Sequence, residues 1–118
     1  MEGTSILIKN IIEGIQEKKG KRISVVDMTK IPNTAFGYFV ICEAESSTQV
    51  GAIAESVRRY VSKMLKIKPF STDGHENAEW IIADYGDVLV HVFRREAREF
   101  YRLEELWEDA VITTIDDL

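Results

Sequence analysis

The spacing of hydrophobic and polar residues along this chain predicts three helices. Isoleucines recur at helical spacing between Ser5 and Lys19. A longer apolar stripe runs from Val50 to Leu65, directly after S-S-T-Q, which is the pattern of a helix capping box starting at Ser46. A third helix, rich in charged and aromatic residues, is predicted from about Glu96 to Trp107.

Four short runs rich in β-branched and aromatic residues predict strands. They are Arg22–Asp27, Tyr38–Glu43, Glu79–Asp84 and Val88–Phe93. The second of these is apolar on both faces, which indicates a strand in the interior of the sheet. Helices and strands in this order predict one α/β domain over residues 1–112, built as a mixed sheet with helical cover.

The remaining segments are predicted to be irregular. Residues Met28–Gly37 and Lys66–Glu76 contain the two prolines and several turn-forming residues, so both are expected to be loops. Residues 113–118 form a short acidic tail, which is expected to be frayed.

The two strands around Tyr85 and Gly86 carry the most informative pattern. A two-residue turn there would pair Trp80 with His91, and one side of the ribbon would then carry Trp80, Ile82, Asp84, Leu89, His91 and Phe93. The other side would carry only aliphatic residues, which suits packing beneath helices. The mixed side suits a surface that a partner covers. A bulge at Gly86 would separate Trp80 from His91, and burial of both faces is the alternative reading.

Charge along the third helix is arranged against the helix dipole. The cations Arg94, Arg95, Arg98 and Arg102 come first, and the acids Glu104, Glu105, Glu108 and Asp109 follow. Contacts with strand edges, a partner, or simply a solvated face would each explain this order, and the solvated face is favoured. The aromatic residues Phe100, Tyr101 and Trp107 are expected to anchor the helix to the sheet.

Composition narrows the class of partner and the compartment. The net charge of −5 disfavours broad contact with nucleic acid, and no basic stripe interleaved with aromatic residues is evident. The single cysteine, Cys42, can form no intrachain disulfide. No targeting segment is recognised, and no apolar run approaches the roughly 20 residues of a spanning helix, so a cytoplasmic protein is expected.

Catalytic candidates are few. His75 and His91 lack the neighbours of a metal site, and Ser46 is better explained as a helix cap than as a nucleophile. Asp84 and Asp87 bracket a turn and could be read as a pair of magnesium ligands, although aspartate also favours turns. We therefore expect no catalytic residue, no metal and no cofactor. A metal-dependent nucleotidyl or phosphoryl transferase is kept as the alternative.

Two motifs, D-Y-G-D-V-L-V-H-V-F and F-Y-R-L-E-E-L-W, together with Y-F-V-I-C and S-S-T-Q-V, resemble the ribosomal silencing factor (Iojap-type) family. The resemblance extends from about Ile6 to Ala110. It implies a nucleotidyltransferase-like fold without enzymatic activity. It also implies binding to the large ribosomal subunit through large-subunit ribosomal protein fourteen, which blocks joining of the small subunit and represses translation.

The resemblance also implies which residues contact the partner. The family's tryptophan falls on Trp80 and its next apolar residue on Ile81, while the histidine of the following strand falls on His91. With Phe93 from the same strand, these residues form the expected binding site, with little direct RNA contact. A homodimer formed through the same face is a further alternative for the free protein. Three positions near loops depart from the family pattern: Gly37, Ala44 and Asp73.

Overall fold

One six-stranded sheet organises the chain. The computed structural model describes residues 2–107 and 109–118. In chain order the elements are α1 (Glu2–Glu17), β1 (Lys21–Asp27), β2 (Tyr38–Ala44), α2 (Ser47–Leu65), β3 (Ser71–Asp73), β4 (Trp80–Asp84), β5 (Val88–Arg94), α3 (Arg95–Tyr101), a 3₁₀ turn (Leu103–Leu106) and β6 (Val111–Thr114). The strand order is β3-β4-β5-β2-β1-β6.

The sheet is mixed, as the sequence predicted. Strands β2 and β5 run parallel, and every other neighbouring pair is antiparallel. Strand β2 lies between β5 and β1, which confirms that the strand apolar on both faces is interior. Among the described residues, no helix combines the length and the apolarity needed to cross a membrane.

The start of α2 follows the predicted capping pattern. The Ser46 hydroxyl oxygen accepts a hydrogen bond from the Gln49 backbone N–H at 3.1 Å. The Gln49 side chain reaches back and accepts from the N–H of Glu45 at 3.4 Å, one residue earlier than in a standard capping box. Ser46 is therefore a structural residue.

Helices α1 and α2 cover the aliphatic face of the sheet. The side chains of Ile81, Val88, Val90 and Val92 join the main core cluster on this side, as predicted for the aliphatic side of the β4–β5 ribbon. The two helices approach closely at Gly14, where an added Cβ would lie 2.9 Å from the Cα of Val57. The Gly14 carbonyl also accepts a hydrogen bond of 2.7 Å from the Ser56 hydroxyl, which ties the helices together.

The third helix is shorter than predicted. It ends at Tyr101 because Arg102 adopts a left-handed conformation with φ of 46°, after which the chain forms the 3₁₀ turn. The prediction of one continuous helix to Trp107 is therefore wrong. The predicted loop over 66–76 likewise contains the edge strand β3, which pairs with β4.

The C-terminal residues are also ordered differently from the expectation. Strand β6 pairs with β1 from Ser24–Thr114 to Asp27–Val111. Beyond the strand, the carboxylate of Asp117 accepts a hydrogen bond from the backbone N–H of Arg22 at 2.9 Å. The expectation of a frayed tail is wrong. The residues from Val111 to Thr114 are all β-branched, which favours a strand, and β1 provides the partner with which they pair.

Candidate partner-binding face

The β4–β5 hairpin has a register two residues away from the predicted one. Trp80 lies opposite Phe93, and Ile82 lies opposite His91. Because the shift is even, the residues predicted to share a face still do so, although the direct pairing of Trp80 with His91 is wrong. Gly86 takes the positive φ of the turn, at 92°. This arrangement relieves Tyr85 of a conformation that bulky residues resist.

Trp80 is held rigidly by its neighbours on this face. Its indole Nε1–H donates a hydrogen bond to His91 Nδ1 at 3.0 Å. The indole stacks on the Phe93 ring with a centroid separation of 4.9 Å. The ring of Tyr101 in α3 is tilted relative to the indole, with a centroid separation of 4.8 Å. Trp80 remains partly exposed, and Tyr101 is 50% exposed. These contacts present a preorganised aromatic surface to solvent.

The other three predicted contact residues are buried. His91 is 2% exposed and Phe93 is fully buried, so both support Trp80 from beneath. Ile81 is 1% exposed and packs in the core under the helices, on the opposite face of the sheet. Placing Ile81 on the same contact surface as Trp80 is therefore wrong, because neighbouring residues of a strand point to opposite sides.

His91 is neutral in this environment. Burial lowers the pKa of its imidazole from 6.5 to about 3. Because Nδ1 accepts the hydrogen bond from Trp80, the proton of the neutral ring belongs on Nε2, which has no hydrogen-bond partner among the described residues. The ring also meets Phe39 edge-on at 4.6 Å. His91 thus orients Trp80 without contributing charge.

A groove of about 510 Å³ lies beside Trp80 and is lined mainly by polar and acidic residues. Its wall consists of Thr72, Asp73, Gly74, His75, Glu76, Asn77, Glu79, Trp80, Ala97 and Tyr101. The groove therefore combines three carboxylates with two aromatic rings, an arrangement that suits a cationic or basic partner.

The shape of the groove depends on Gly74. This residue has φ of 93°, and an added Cβ would lie 2.0 Å from the carbonyl oxygen of Trp80. The turn that follows is closed by a 3.0 Å hydrogen bond from the Ala78 N–H to the Gly74 carbonyl. The geometry of Gly74 explains why no side chain is accommodated there.

Helix α3, which carries Tyr101, is attached to the sheet through Arg98. The guanidinium group is 5% exposed and donates to the Arg22 carbonyl at 2.6 Å. It also donates to Glu43 at 3.2 Å and to Glu104 at 2.8 Å. Burial raises the pKa of Glu43 although the neighbouring arginines oppose this shift. For Arg98, the favoured prediction of a solvated face is wrong and the strand-edge alternative is confirmed.

Sequence reasoning missed this polar network, although one signal pointed to it. Arginines at the start of a helix oppose the dipole, so a specific contact is needed to explain them. Arg95 and Arg102 are exposed and pair with Glu45 and Glu105. Glu108, which was grouped with the acids at the end of the helix, lies outside the described residues.

The three aromatic residues that were predicted for the third helix have separate roles. Trp107 packs on Phe39 with a centroid distance of 6.2 Å, as expected for an anchor to the sheet. Tyr101 contacts Trp80 and keeps half its surface exposed. Phe100 is 79% exposed, so the expectation that it anchors the helix is wrong.

The residues that suggested phosphoryl transfer have structural partners. Asp84 accepts a 2.7 Å hydrogen bond from the N–H of Gly86 and so stabilises the hairpin turn. Ser46 caps α2. Within residues 2–107 and 109–118, no three His, Cys, Asp or Glu side chains are grouped as a metal site requires.

The fold and this face define a single-domain mixed α/β protein with one preorganised aromatic and acidic surface. A family model described as "Ribosomal silencing factor during starvation" matches residues 2–118. The chain belongs to this family, which confirms the resemblance found in the sequence and places the chain among ribosome-related regulators of translation.

Individual relatives agree with this assignment. The ribosomal silencing factor of Halalkalibacterium halodurans is 35% identical over 105 residues, covering 88% of this chain and 87% of that protein. The Bacillus subtilis ribosomal silencing factor is 34% identical over 111 residues, covering 93% and 92%. A crystal structure of a Chromobacterium violaceum protein superposes with a TM-score of 0.82 at 33% identity, covering 88% of this chain and 85% of that one.

Proposed function

We propose that this protein is an anti-association factor of the large ribosomal subunit. It binds large-subunit ribosomal protein fourteen, occupies the surface that the small subunit needs, and so represses translation. It acts in the cytoplasm by steric exclusion, without catalysis or a cofactor. The observation that carries the proposal is the rigid, partly exposed Trp80 beside an acidic groove, in a chain that belongs to the silencing-factor family.

Trp80 has the properties of an interface anchor. Tryptophan is enriched among the residues that dominate binding energy, and a side chain already ordered in the free protein loses little entropy on binding. The hydrogen bond to His91 and the stacking on Phe93 provide that order. In an interface of about 1,200–2,000 Å², removing such an anchor costs about 2–4 kcal/mol, or roughly 30- to 1,000-fold in affinity.

Charge around the groove supports a protein partner of basic character. Asp73, Glu76 and Glu79 line the groove beside Trp80, in a chain whose net charge is −5. Of these three acids, Glu79 pairs with Arg94. Such a surface attracts a basic ribosomal protein and is repelled by RNA phosphates. At this face the proposal therefore includes little direct RNA contact.

The test is co-sedimentation of the purified protein with isolated large and small ribosomal subunits. Wild type is expected to pellet with the large subunit alone, and Trp80→Ala is expected to lose this binding. Tyr101→Ala provides a second variant, because a half-exposed residue can be removed with less effect on folding. Val111→Ala, an exposed apolar residue of β6 at the far edge of the sheet from β4, is the control and should bind as wild type does.

Circular dichroism shows whether each variant is folded. Binding of folded Trp80→Ala and Tyr101→Ala at wild-type affinity would refute the proposed face. Failure of the wild type to bind the large subunit would refute the proposed function itself.

The same face could join two copies of the free protein, because Tyr101 and Phe100 are both substantially exposed. Sedimentation velocity at high protein concentration tests this, and a monomer alone would exclude it.

The nucleotidyltransferase-like topology implied by the resemblance stays a prediction.

A further inference from the structure

A second surface differs in charge from the rest of this acidic chain. The stretch from Arg58 to Thr72 contains no acidic residue and carries five of the 15 lysine and arginine residues. These cations are Arg58, Arg59, Lys63, Lys66 and Lys68. Reading the sequence for a basic stripe missed this stretch because the overall charge is negative.

All five cations are exposed. Among the described residues, only Arg58 of the five pairs with a carboxylate, that of Glu55. Glu17 and Glu55 border the groove between α1 and α2, so the positive character is strongest from Lys63 onward. We call the exposed cations, with Phe70, the basic surface.

Exposed apolar side chains interleave with the charges. Met64 is 53% exposed, Ile67 is 39% exposed and Phe70 is 81% exposed. The Phe70 ring lies over Gly86, with a ring carbon 3.1 Å from the position of an added Cβ there. One edge of this ring therefore lies near the hairpin turn while most of its surface is open. An exposed aromatic ring that follows closely after cations in the sequence, here Lys66 and Lys68, is typical of sites where an unpaired base stacks.

Helix capping explains only part of this charge. Cations in the last turn of α2 complement the helix dipole, which accounts for Lys63 and Lys66. Lys68 lies beyond the helix, and Arg59 lies well before the last turn. Lys66 itself has φ of 59°, where glycine is the usual residue, so a charged side chain is present despite the conformational cost.

The basic surface is separate from the acidic groove. The N–H of Phe70 donates a 2.7 Å hydrogen bond to the carbonyl of Asp84. Asp84 is the last residue of β4, and Trp80 is the first. Strand β4 rises about 3.4 Å per residue, so Phe70 and Trp80 lie at opposite ends of a strand roughly 14 Å long. A partner as large as a ribosomal subunit can contact both regions at once.

We propose that the basic surface binds the phosphate backbone of RNA, with Phe70 as a stacking platform for an unpaired base. This inference rests on the proposed function, because the anionic component of a large ribosomal subunit is its RNA. The protein would then hold the subunit at two points: a protein contact at the acidic groove and an RNA contact at the basic surface.

The first experiment measures the salt dependence of large-subunit binding. Lys63→Gln/Lys68→Gln removes two cations of the basic surface, and Lys9→Gln/Lys30→Gln is a control that removes two exposed cations elsewhere. The slope of log K against log salt is negative, and each lost phosphate contact makes it shallower by about 0.7 for a single strand or about 0.9 for a duplex. The first double variant should therefore have a slope that is shallower by about 1.4–1.8. Its affinity in 100 mM salt should fall about 10-fold or more, while the control keeps the wild-type slope.

The second experiment uses the free protein and does not depend on the ribosome. Fluorescence anisotropy with a fluorescein-labelled RNA stem–loop should show binding by wild type and by the control. Lys63→Gln/Lys68→Gln should bind more weakly, and so should Phe70→Ala, with an unchanged salt slope. Trp80→Ala should bind the stem–loop as wild type does, which separates this inference from the proposed function.

Equal slopes and affinities for the two double variants would overturn the RNA contact, even if Trp80→Ala still abolished large-subunit binding. Charge-dependent binding to vesicles of phosphatidylcholine and phosphatidylserine, with none to the stem–loop, would overturn it in favour of a membrane surface.

Discussion

Acidification tests whether His91 is buried and neutral beneath Trp80. In the folded protein burial lowers its pKa to about 3, whereas the unfolded chain has the ordinary value of about 6.5. Between these values the unfolded state binds a proton that the folded state excludes. The contribution of His91 to stability is therefore complete above pH 6.5 and is lost progressively as the pH falls toward 3.

The magnitude follows from the two pKa values. Their difference sets an upper limit of about 5 kcal/mol, at 1.36 kcal/mol per pKa unit. At pH 5 the unfolded chain is almost fully protonated at this site and the folded chain is not, so the loss relative to pH 7.5 is about 2 kcal/mol. Such a loss is a large part of the stability of a small domain.

The assay is urea denaturation at pH 7.5, 6.0 and 5.0 for wild type and His91→Gln. Glutamine keeps a side-chain acceptor for the Trp80 indole and has no proton to gain, so the variant should lose about 2 kcal/mol less than wild type over this range. Other titrating groups cancel in the comparison. Identical pH dependence of the free energy of unfolding in the two proteins would refute the burial argument.

Two further substitutions test the support of the face, each measured by urea denaturation at neutral pH. Arg98→Met removes the buried partner of Glu43, leaving that carboxylate only the exposed Arg22, and should cost about 3–5 kcal/mol. Exposed Arg95→Met should cost less than about 1 kcal/mol, and equal costs would contradict the buried network. Gly74→Ala forces a Cβ against the Trp80 carbonyl oxygen at positive φ and should cost about 3 kcal/mol. Gly51→Ala, in open space on α2, should be neutral or stabilising by up to about 1 kcal/mol, and a similar loss in both glycine variants would count against the clash.

Local signals in the sequence were sufficient for much of the fold. The apolar stripe and the Ser46 cap predicted α2 because both features act within a few residues of the chain. The twofold alternation of strand side chains predicted that Trp80 and His91 share a face, and this held although the register differed. The family motifs predicted membership of the ribosomal silencing factor family, and the comparisons confirmed it.

Contacts between residues that are distant in the chain could not be predicted from these local signals. The β-branched residues of β6 favour a strand, but the sequence alone did not show that β1, near the other end of the chain, is the strand with which they pair. The helix ends before Arg102 because that residue adopts a left-handed conformation. Arginine rarely adopts this conformation, so the residue type did not predict the end of the helix.

The same distinction between local signals and distant contacts applies to the candidate face. The sequence by itself determined which side chains could lie on it, because strand alternation is a local geometric property. Only the tertiary structure decided that Trp80 is partly exposed while His91 is buried and neutral beneath it, and that Arg98 fixes α3 against the sheet. Burial and pKa depend on which distant segments pack around a group, and that information is absent from the local order of residues.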